Sequence, residues 1–308
     1  MDYRRIGNSG LKVSAVGLGT NAFGSRADEP TSIRTVEQAL ELGVNFIDTA
    51  ESYTQGRSEE IIGKALVHKR TQAILATKFG HVRTVGPKEL GGSRRYVVRA
   101  VENSLKRLNT DYIDLYYLHY PDVETPIEET LRALNDLVRA GKVRYLACSN
   151  FAAWQLSEAE WTSRVYGLDP FIAIQSRYNV LDRSIESEIV PCCIAHGVGV
   201  IPWGPLASGF LTGKYDRTPE TPARFAPSAG IYGDVYTGPN FEKLARLKAF
   251  AAGRGHTVGD LAVAWLLSHP WLGSVISGAT RPEQVSENAA AASWKLTSDE
   301  LAELDKVL

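Results

Sequence analysis

Four side chains that could exchange a proton with a bound molecule stand at or near the ends of apolar segments. Asp48 and His119 each close such a segment, Lys78 directly follows one, and Tyr53 comes five residues after Asp48. A free tyrosine has a pKa of about 10, and a neighbouring cation lowers it by stabilising the phenolate. Lys78, held by Asp48, could supply that cation, so that Tyr53 acts as a general acid while His119 orients a substrate oxygen. These residue types do not make a zinc triad, and we predict no metal site.

These residues belong to a regular series of eight short apolar segments. Each is apolar at consecutive positions, which is typical of parallel strands that are covered on both faces. Each ends in, or is directly followed by, a polar, aromatic or glycine residue. The segments span residues 13–19, 45–48, 73–77, 114–119, 143–149, 171–175, 198–203 and 273–277.

Helical patterns separate the apolar segments. Apolar residues recur at helical spacing in 94–108, and Ser58 followed by two glutamates is typical of a helix start. Strict alternation of strand and helix predicts an α/β fold, a (β/α)8 TIM barrel in which the strand ends meet at one mouth. An open doubly wound sheet is the alternative.

The two ends of the chain predict small additions to this barrel. Residues 3–13 form the pattern of a β-hairpin around the turn Asn8-Ser9-Gly10, which we expect to cap the base of the barrel. Residues 298–308 predict a C-terminal helix. We therefore expect one barrel domain over residues 1–308, with a long non-periodic segment at 214–240 that is either a lid or partly disordered.

Bulk composition excludes several classes of function. The chain has 308 residues with 34 basic and 35 acidic side chains, and this balance gives no reason to expect nucleic acid or a membrane surface as partner. The three cysteines, Cys148, Cys192 and Cys193, form neither a disulfide framework nor a zinc pattern. Residues 1–5 lack the apolar stretch of a signal peptide, so we predict a cytoplasmic protein.

The motifs around these residues resemble those of the aldo-keto reductase superfamily. Asp48 to Tyr53, Lys78 and His119 look like its catalytic tetrad, and the resemblance covers nearly the whole chain. The long segment after the seventh strand resembles the bacterial branches related to potassium-channel β-subunits. The other matching motifs are Gly17-Leu18-Gly19-Thr20, Ser149-Asn150-Phe151, Gln175, Tyr178-Asn179, Pro202 to Gly209 and Glu287-Asn288.

The resemblance implies a nicotinamide cofactor and assigns residues to it. Ser149, Asn150 and Gln175 would hold the carboxamide, and Trp203 would stack on the ring. Backbone amides of the segment after Trp203 would bind the pyrophosphate, with a charge from Lys214. That segment is Gly204, Pro205, Leu206, Ala207 and Ser208. The remaining cofactor residues are Gly19 and Thr20 in the first strand and, for the adenosine half, Gly278, Thr280, Arg281, Gln284, Glu287 and Asn288.

One departure from the family bears on the choice of cofactor. Many members place a lysine at the position of Gly278 and an arginine at that of Gln284, where they bind the 2′-phosphate of NADP. Arg281 is the nearest remaining cation here, and an arginine fork suits phosphate. We expect NADP(H), with NAD(H) as the alternative.

The resemblance also implies the reaction. A histidine at the position of His119 accompanies reduction of aldehydes or ketones, whereas a glutamate there accompanies reduction of carbon–carbon double bonds. We expect Phe23, Tyr120 and the 214–240 segment to line the pocket of a small carbonyl substrate. The alternatives are a cofactor-binding regulatory subunit with slow or vestigial reductase activity and a barrel enzyme of another class. The sequence does not fix the oligomeric state.

Overall fold

The computed structural model describes residues 1–86, 89–215 and 233–308. An antiparallel hairpin opens the chain, with β1 at Tyr3–Arg5 and β2 at Lys12–Ser14. Within the described residues, eight parallel strands follow as one sheet in the order β10-β3-β4-β5-β6-β7-β8-β9. Their bounds are β3 Val16–Gly19, β4 Phe46–Asp48, β5 Ile74–Phe79, β6 Ile113–Leu118, β7 Val143–Ser149, β8 Phe171–Arg177, β9 Gly199–Trp203 and β10 Val275–Gly278.

A short parallel bridge brings the two edge strands of this sheet together. Val200 of β9 pairs with Leu272, just before β10, and the backbone N–H of Gly273 donates to the carbonyl of Val200 at 2.8 Å. The sheet is therefore a nearly closed barrel rather than an open doubly wound sheet, as predicted. We call the end at the carboxyl ends of the strands the mouth and the opposite end the base.

Helices surround the barrel and complete the alternation. Their ends carry the expected signals: the Ser93 and Thr257 side chains accept from backbone N–H groups at helix starts, and Asn109 ends a helix with a left-handed conformation. The helices are α1 Glu29–Glu41, α2 Arg57–Ala65, α3 Arg94–Leu108, α4 Ile127–Arg139, α5 Ala153–Tyr166, α6 Ile189–His196, α7 Gly238–Ala252, α8 Val258–Leu267, α9 Pro282–Ala291 and α10 Ser298–Val307.

The hairpin closes the base, as predicted. Ile6, Leu11 and Val13 lie in one apolar cluster with residues of the barrel interior such as Phe46. Gly7 has a φ of +51°, and a Cβ there would lie 2.4 Å from the carbonyl oxygen of Gly197, so the approach of the two backbones requires glycine.

Two predicted elements differ from the structure. The first apolar segment, 13–19, divides because β2 ends at Ser14 and barrel strand β3 begins at Val16. The helix predicted at 154–160 extends over Ala153–Tyr166 to a left-handed Gly167. Its second half was missed because Trp161 and Val165 are exposed, which hides the helical period.

No helix within residues 1–86, 89–215 and 233–308 has both the length and the apolar composition to cross a bilayer.

Candidate active site

A buried ammonium group lies near the carboxyl end of β5, at the mouth. Lys78 lies on β5 with no exposed surface, and Asp48 is the last residue of the neighbouring strand β4. The Lys78 Nζ donates to Asp48 Oδ1 at 2.5 Å, to the carbonyl of Thr49 at 2.8 Å and to the Tyr53 hydroxyl at 3.4 Å. A buried cation is stable only when it is paired and hydrogen-bonded, and these three oxygens meet that need.

Charge favours the protonated form of this lysine. Burial alone would lower the pKa of Lys78, but the attraction of Asp48, followed by that of Tyr53, outweighs burial and raises it. The second oxygen of Asp48, Oδ2, accepts from Gln175 Nε2 at 2.8 Å. Asp48 is therefore held between Lys78 and Gln175. The amide of Gln175, predicted to hold a carboxamide, contacts the tetrad in this structure.

Tyr53 is presented to Lys78 by a tight and uncommon turn. It begins a short 3-10 segment in which Thr54 and Gln55 have left-handed φ values of 49° and 56°. Such conformations cost about 1 kcal/mol or more each and persist where surrounding contacts impose them. The Thr54 hydroxyl donates to the carbonyl of Phe23 at 2.9 Å and so anchors the turn.

His119 lies next to this tyrosine at the end of β6. Its ring is 6.2 Å from the Tyr53 ring, edge to face, and the residue is 7% exposed. Burial, followed by the charge of Lys78, lowers the pKa of His119 well below its usual value, so the ring is neutral at pH 7. Its Nδ1 is buried without a hydrogen-bond partner among the described residues.

Three further predicted residues form one hydrogen-bonded chain at the mouth. Asn150, with a left-handed φ of 61°, donates from Nδ2 to the carbonyl of His119 and to Ser149 Oγ, both at 3.0 Å. Its Oδ1 accepts from the indole Nε1 of Trp203 at 3.2 Å. Asn150 thereby links the half-buried Trp203 ring to the backbone of His119.

The segment after Trp203, predicted to bind the pyrophosphate, has an uncommon left-handed backbone. Gly204 has a φ of +69°, and no atom of the described residues lies within 4 Å of where its Cβ would be, so a ligand could approach its backbone. Ala207, Ser208 and Gly209 are left-handed in succession, at 45°, 58° and 91°. Left-handed residues can turn N–H groups towards one concave side, which suits phosphate. In this structure, however, the N–H groups of Ala207 and Gly209 donate within the loop, to the carbonyls of Gly204 and Leu206 at 3.0 and 2.8 Å. Pro205 and Leu206 lie between these positions, and Lys214 lies 5.2 Å from the Tyr215 ring.

The predicted adenosine residues surround the start of α9. The Gln284 side chain accepts from the backbone N–H of Thr280 at 2.7 Å and from its hydroxyl at 3.1 Å, so it orders the turn. Arg281 is 53% exposed and lies 3.5 Å from Glu283. Gly278 is exposed beside Gly19, its partner in β3. Three other predicted residues complete this side: Thr20, which bonds to the carbonyl of Asp48, and Glu287 and Asn288 on α9.

The two predicted pocket residues are placed differently. Tyr120 is stacked on His119 at 5.2 Å, at the mouth. Phe23 has no exposed surface and packs in an apolar cluster that also contains Val36 of α1 and Ile61 of α2. The structure therefore does not bring its ring to the mouth. The 214–240 segment is described only at 214–215 and 233–240, and its middle part, 216–232, lies outside the described residues.

Sequence reasoning missed two residues that the structure places at the mouth. His81 lies 4.9 Å from His119 and 5.1 Å from Tyr120, ring to ring. Glu51 is buried and accepts three hydrogen bonds from residues near His81. A signal existed for both, because His81 comes three residues after Lys78 and Glu51 lies between Asp48 and Tyr53. No group of three or more metal-ligating side chains occurs in the part of the chain that the structure describes.

Comparison with known proteins agrees with this geometry. The model of the Aldo/keto reductase family matches residues 15–308. A protein of Arabidopsis thaliana named probable voltage-gated potassium channel subunit beta is 38% identical over 304 residues, or 94% of this chain and 91% of that protein. Aldo-keto reductase YhdN of Bacillus subtilis is 36% identical over 100% of this chain and 94% of its own length. Versiconal hemiacetal acetate reductase of Aspergillus parasiticus is 34% identical over 99% of this chain and 96% of its own length.

The family match covers both the strand ends that carry the tetrad and the loops after β9 and β10. With relatives that align over nearly their whole length as well, it shows that this chain belongs to the aldo/keto reductase family.

Proposed function

We propose that this protein is a cytoplasmic oxidoreductase that uses NADP(H) to reduce small aldehydes or ketones to alcohols. The observation that carries the proposal is the Lys78 ammonium, which lies between the Asp48 carboxylate and the Tyr53 hydroxyl and next to a neutral His119. A phenol beside a fixed cation can release its proton to a developing alkoxide and leave a stabilised phenolate.

The residues present fit a nicotinamide dinucleotide. Trp203, fixed by Asn150, offers an aromatic face for the nicotinamide ring, and the space beside the backbone of Gly204 leaves room for a pyrophosphate at the following loop. Arg281, more than half exposed, would be the residue to bind the 2′-phosphate that distinguishes NADP from NAD. With Gly278 and Gln284 at the family's cationic positions, NAD(H) is the alternative cofactor. When bound, the reduced cofactor supplies a hydride to the carbonyl carbon.

The chain's own residues manage the proton and the charge. Tyr53 donates its hydroxyl proton to the carbonyl oxygen as the C=O double bond becomes a C–O single bond. Lys78 stabilises the phenolate that forms, and Asp48 keeps Lys78 protonated while Gln175 fixes Asp48. His119, because it is neutral, donates a hydrogen bond to the same oxygen without adding a second cation beside Lys78. In alcohol oxidation the proton moves back to Tyr53.

A carbonyl panel assayed with NADPH and NADH tests this function. Consumption of the reduced cofactor is followed in the presence of aromatic and aliphatic aldehydes, ketones and dicarbonyl compounds, with alkenes as the contrasting class. We expect aldehyde- or ketone-dependent oxidation of NADPH, weaker with NADH, and none with simple alkenes. Absence of carbonyl-dependent turnover with either cofactor, in protein that binds them, would contradict the proposal.

A regulatory subunit is the second candidate, favoured by the names of relatives such as the Arabidopsis protein. In that case the cofactor would bind but turnover would be slow, and the chain would co-purify with a membrane protein. The carbonyl panel separates the two candidates, because a reductase must turn over a carbonyl substrate, whereas a regulatory subunit need not.

A further inference from the structure

The turn after β5 places a second imidazole beside the tetrad. The His81 ring is 4.9 Å from the His119 ring at 74° and 5.1 Å from the Tyr120 ring at 89°, so it meets both nearly edge to face. His119 and Tyr120 are themselves stacked at 19°. Three rings therefore form one wall of the mouth, and His81 is its half-exposed outer member.

The hydrogen bonding of His81 fixes which ring nitrogen carries the proton. Its Nδ1 accepts from the backbone N–H of Arg83 at 3.0 Å. A neutral imidazole has one donor and one acceptor, so this contact leaves the proton on Nε2. Burial, aided by the charge of Arg83, lowers the pKa of His81 and favours the neutral ring. The Nε2–H donor is then available to a molecule bound against the wall.

A buried carboxylate holds this turn in place. Glu51 Oε1 accepts from the backbone N–H of Gly80 at 2.9 Å, from the Thr84 hydroxyl at 2.7 Å and from the Tyr96 hydroxyl at 2.8 Å. The donors at 80 and 84 lie on either side of His81. The backbone N–H of Glu51 donates to the carbonyl of Lys78, so the same residue joins the turn to the tetrad.

We propose that His81 binds the substrate through Nε2–H and selects carbonyl compounds that carry a second oxygen acceptor next to the reacting carbonyl, such as 1,2-dicarbonyl compounds. Glu51 is the positioning residue, which acts through the 80–84 turn. The inference rests on the proposed function. One oxygen of such a substrate meets Tyr53 and His119, and the neighbouring oxygen meets His81, which lies directly beside His119. A hydrocarbon at that place would leave the donor without a partner, which disfavours its binding.

Two substrates of matched skeleton test the proposal. Phenylglyoxal has a second carbonyl where phenylacetaldehyde has a CH2 group. Wild-type protein is expected to show the lower KM for phenylglyoxal. His81→Phe keeps a ring against His119 and Tyr120 but removes the donor, so we expect the KM for phenylglyoxal to rise about five- to tenfold, the effect of one neutral hydrogen bond. The KM for phenylacetaldehyde and both kcat values should change by less than about twofold.

Two further variants separate binding from general structure. His81→Gln retains an N–H donor near the place of Nε2 and should recover most of the preference for phenylglyoxal. Glu51→Gln replaces the carboxyl that accepts hydrogen bonds from the 80–84 turn by a weaker amide acceptor and should reduce the same preference, with little change for phenylacetaldehyde. Thermal unfolding of each variant identifies any loss of fold.

The possible failures are distinct. If wild-type protein reduces neither substrate nor any other carbonyl compound, the proposed function is wrong. If wild-type protein reduces both and His81→Phe leaves the ratio of the two KM values unchanged, or raises both equally, the assignment of His81 is wrong while the proposed function stands.

Discussion

The two ends of the same barrel strands are built on opposite principles. At the base, the hairpin residues Ile6 and Val13 have no exposed surface and pack on apolar interior residues such as Phe46. At the mouth, Lys78 is just as deeply buried but is surrounded by polar partners. The base therefore gains stability from removal of apolar surface from water, whereas the mouth offsets the burial of Lys78 with an ion pair and hydrogen bonds.

Backbone conformation marks the same contrast. Among the described residues, five left-handed non-glycine residues lie at the mouth, whereas the two others, His68 and Asn109, lie in the turns before β5 and β6. The five are Thr54, Gln55, Asn150, Ala207 and Ser208. Such conformations are unfavourable and concentrate where a site needs a fixed geometry. At the base, the left-handed position in the hairpin is Gly7, which adopts it without strain. The difference teaches that stability and chemistry are placed at separate ends, so substitutions at the two ends should have separable effects.

The largest stability effect is expected at the base. Ile6→Ala leaves a cavity in the fully buried cluster and should lower the free energy of unfolding by about 2–5 kcal/mol, measured by urea denaturation. Turnover of folded protein should stay at the wild-type level, because Ile6 is remote from the tetrad. Ile194→Ala, the same chemical change at a 61% exposed position, is the control and should be nearly neutral. A loss of turnover in folded Ile6→Ala would contradict the view that the base provides stability without contributing to the chemistry at the mouth.

A smaller effect is expected from a buried carboxyl of the helical layer. Glu160 on α5 is 3% exposed, and its Oε1 has no partner among the described residues. Burial, opposed by Arg164, raises its pKa from 4.5 to about 7. Because the folded-state pKa exceeds the unfolded one, this group stabilises the fold fully below pH 4.5. That contribution disappears as the pH rises through about 7, a change on the order of 3 kcal/mol.

Glu160→Gln extends the comparison of base and mouth, because it tests a buried polar group that lies at neither end of the barrel strands. Above pH 7 the variant should be more stable than wild type, and below pH 4.5 the advantage should vanish, as followed by the unfolding free energy across pH. Glu158→Gln, at an exposed position on the same helix, is the matched control. If the unfolding free energies of Glu160→Gln and wild type differ by the same amount at every pH, Glu160 does not titrate in this way.

The architecture could be predicted because it depends on local patterns. Runs of apolar residues predicted the eight strands, and caps and glycines predicted where the helices between them begin and end. Because the polar residues follow the strands, the barrel fold predicted that Asp48, Lys78 and His119 lie at one mouth. Local patterns failed where tertiary contacts decide, as at Ser14 to Val16, where the chain passes from the hairpin to the barrel. They also failed on α5, where exposed Trp161 and Val165 disguise a helix.

The partners of individual side chains at the mouth were harder to predict. The contact between Gln175 and Asp48 joins residues 127 positions apart, and no sequence pattern specifies it. His81 was missed although it comes three residues after Lys78, because its position in the chain does not show which rings it will contact. Phe23 was expected in the pocket from its place in the chain, yet its ring turns into the core.

The most direct test of the central claim, that the Tyr53 hydroxyl supplies the proton at the mouth, compares Tyr53→Phe with wild type. Turnover with the best carbonyl substrate and the Kd of NADPH are measured on the same samples. The account predicts that kcat falls by about 10²–10⁴, the usual contribution of a general acid, while the Kd of NADPH changes little. Wild-type turnover in Tyr53→Phe, with the cofactor bound normally, would contradict the account.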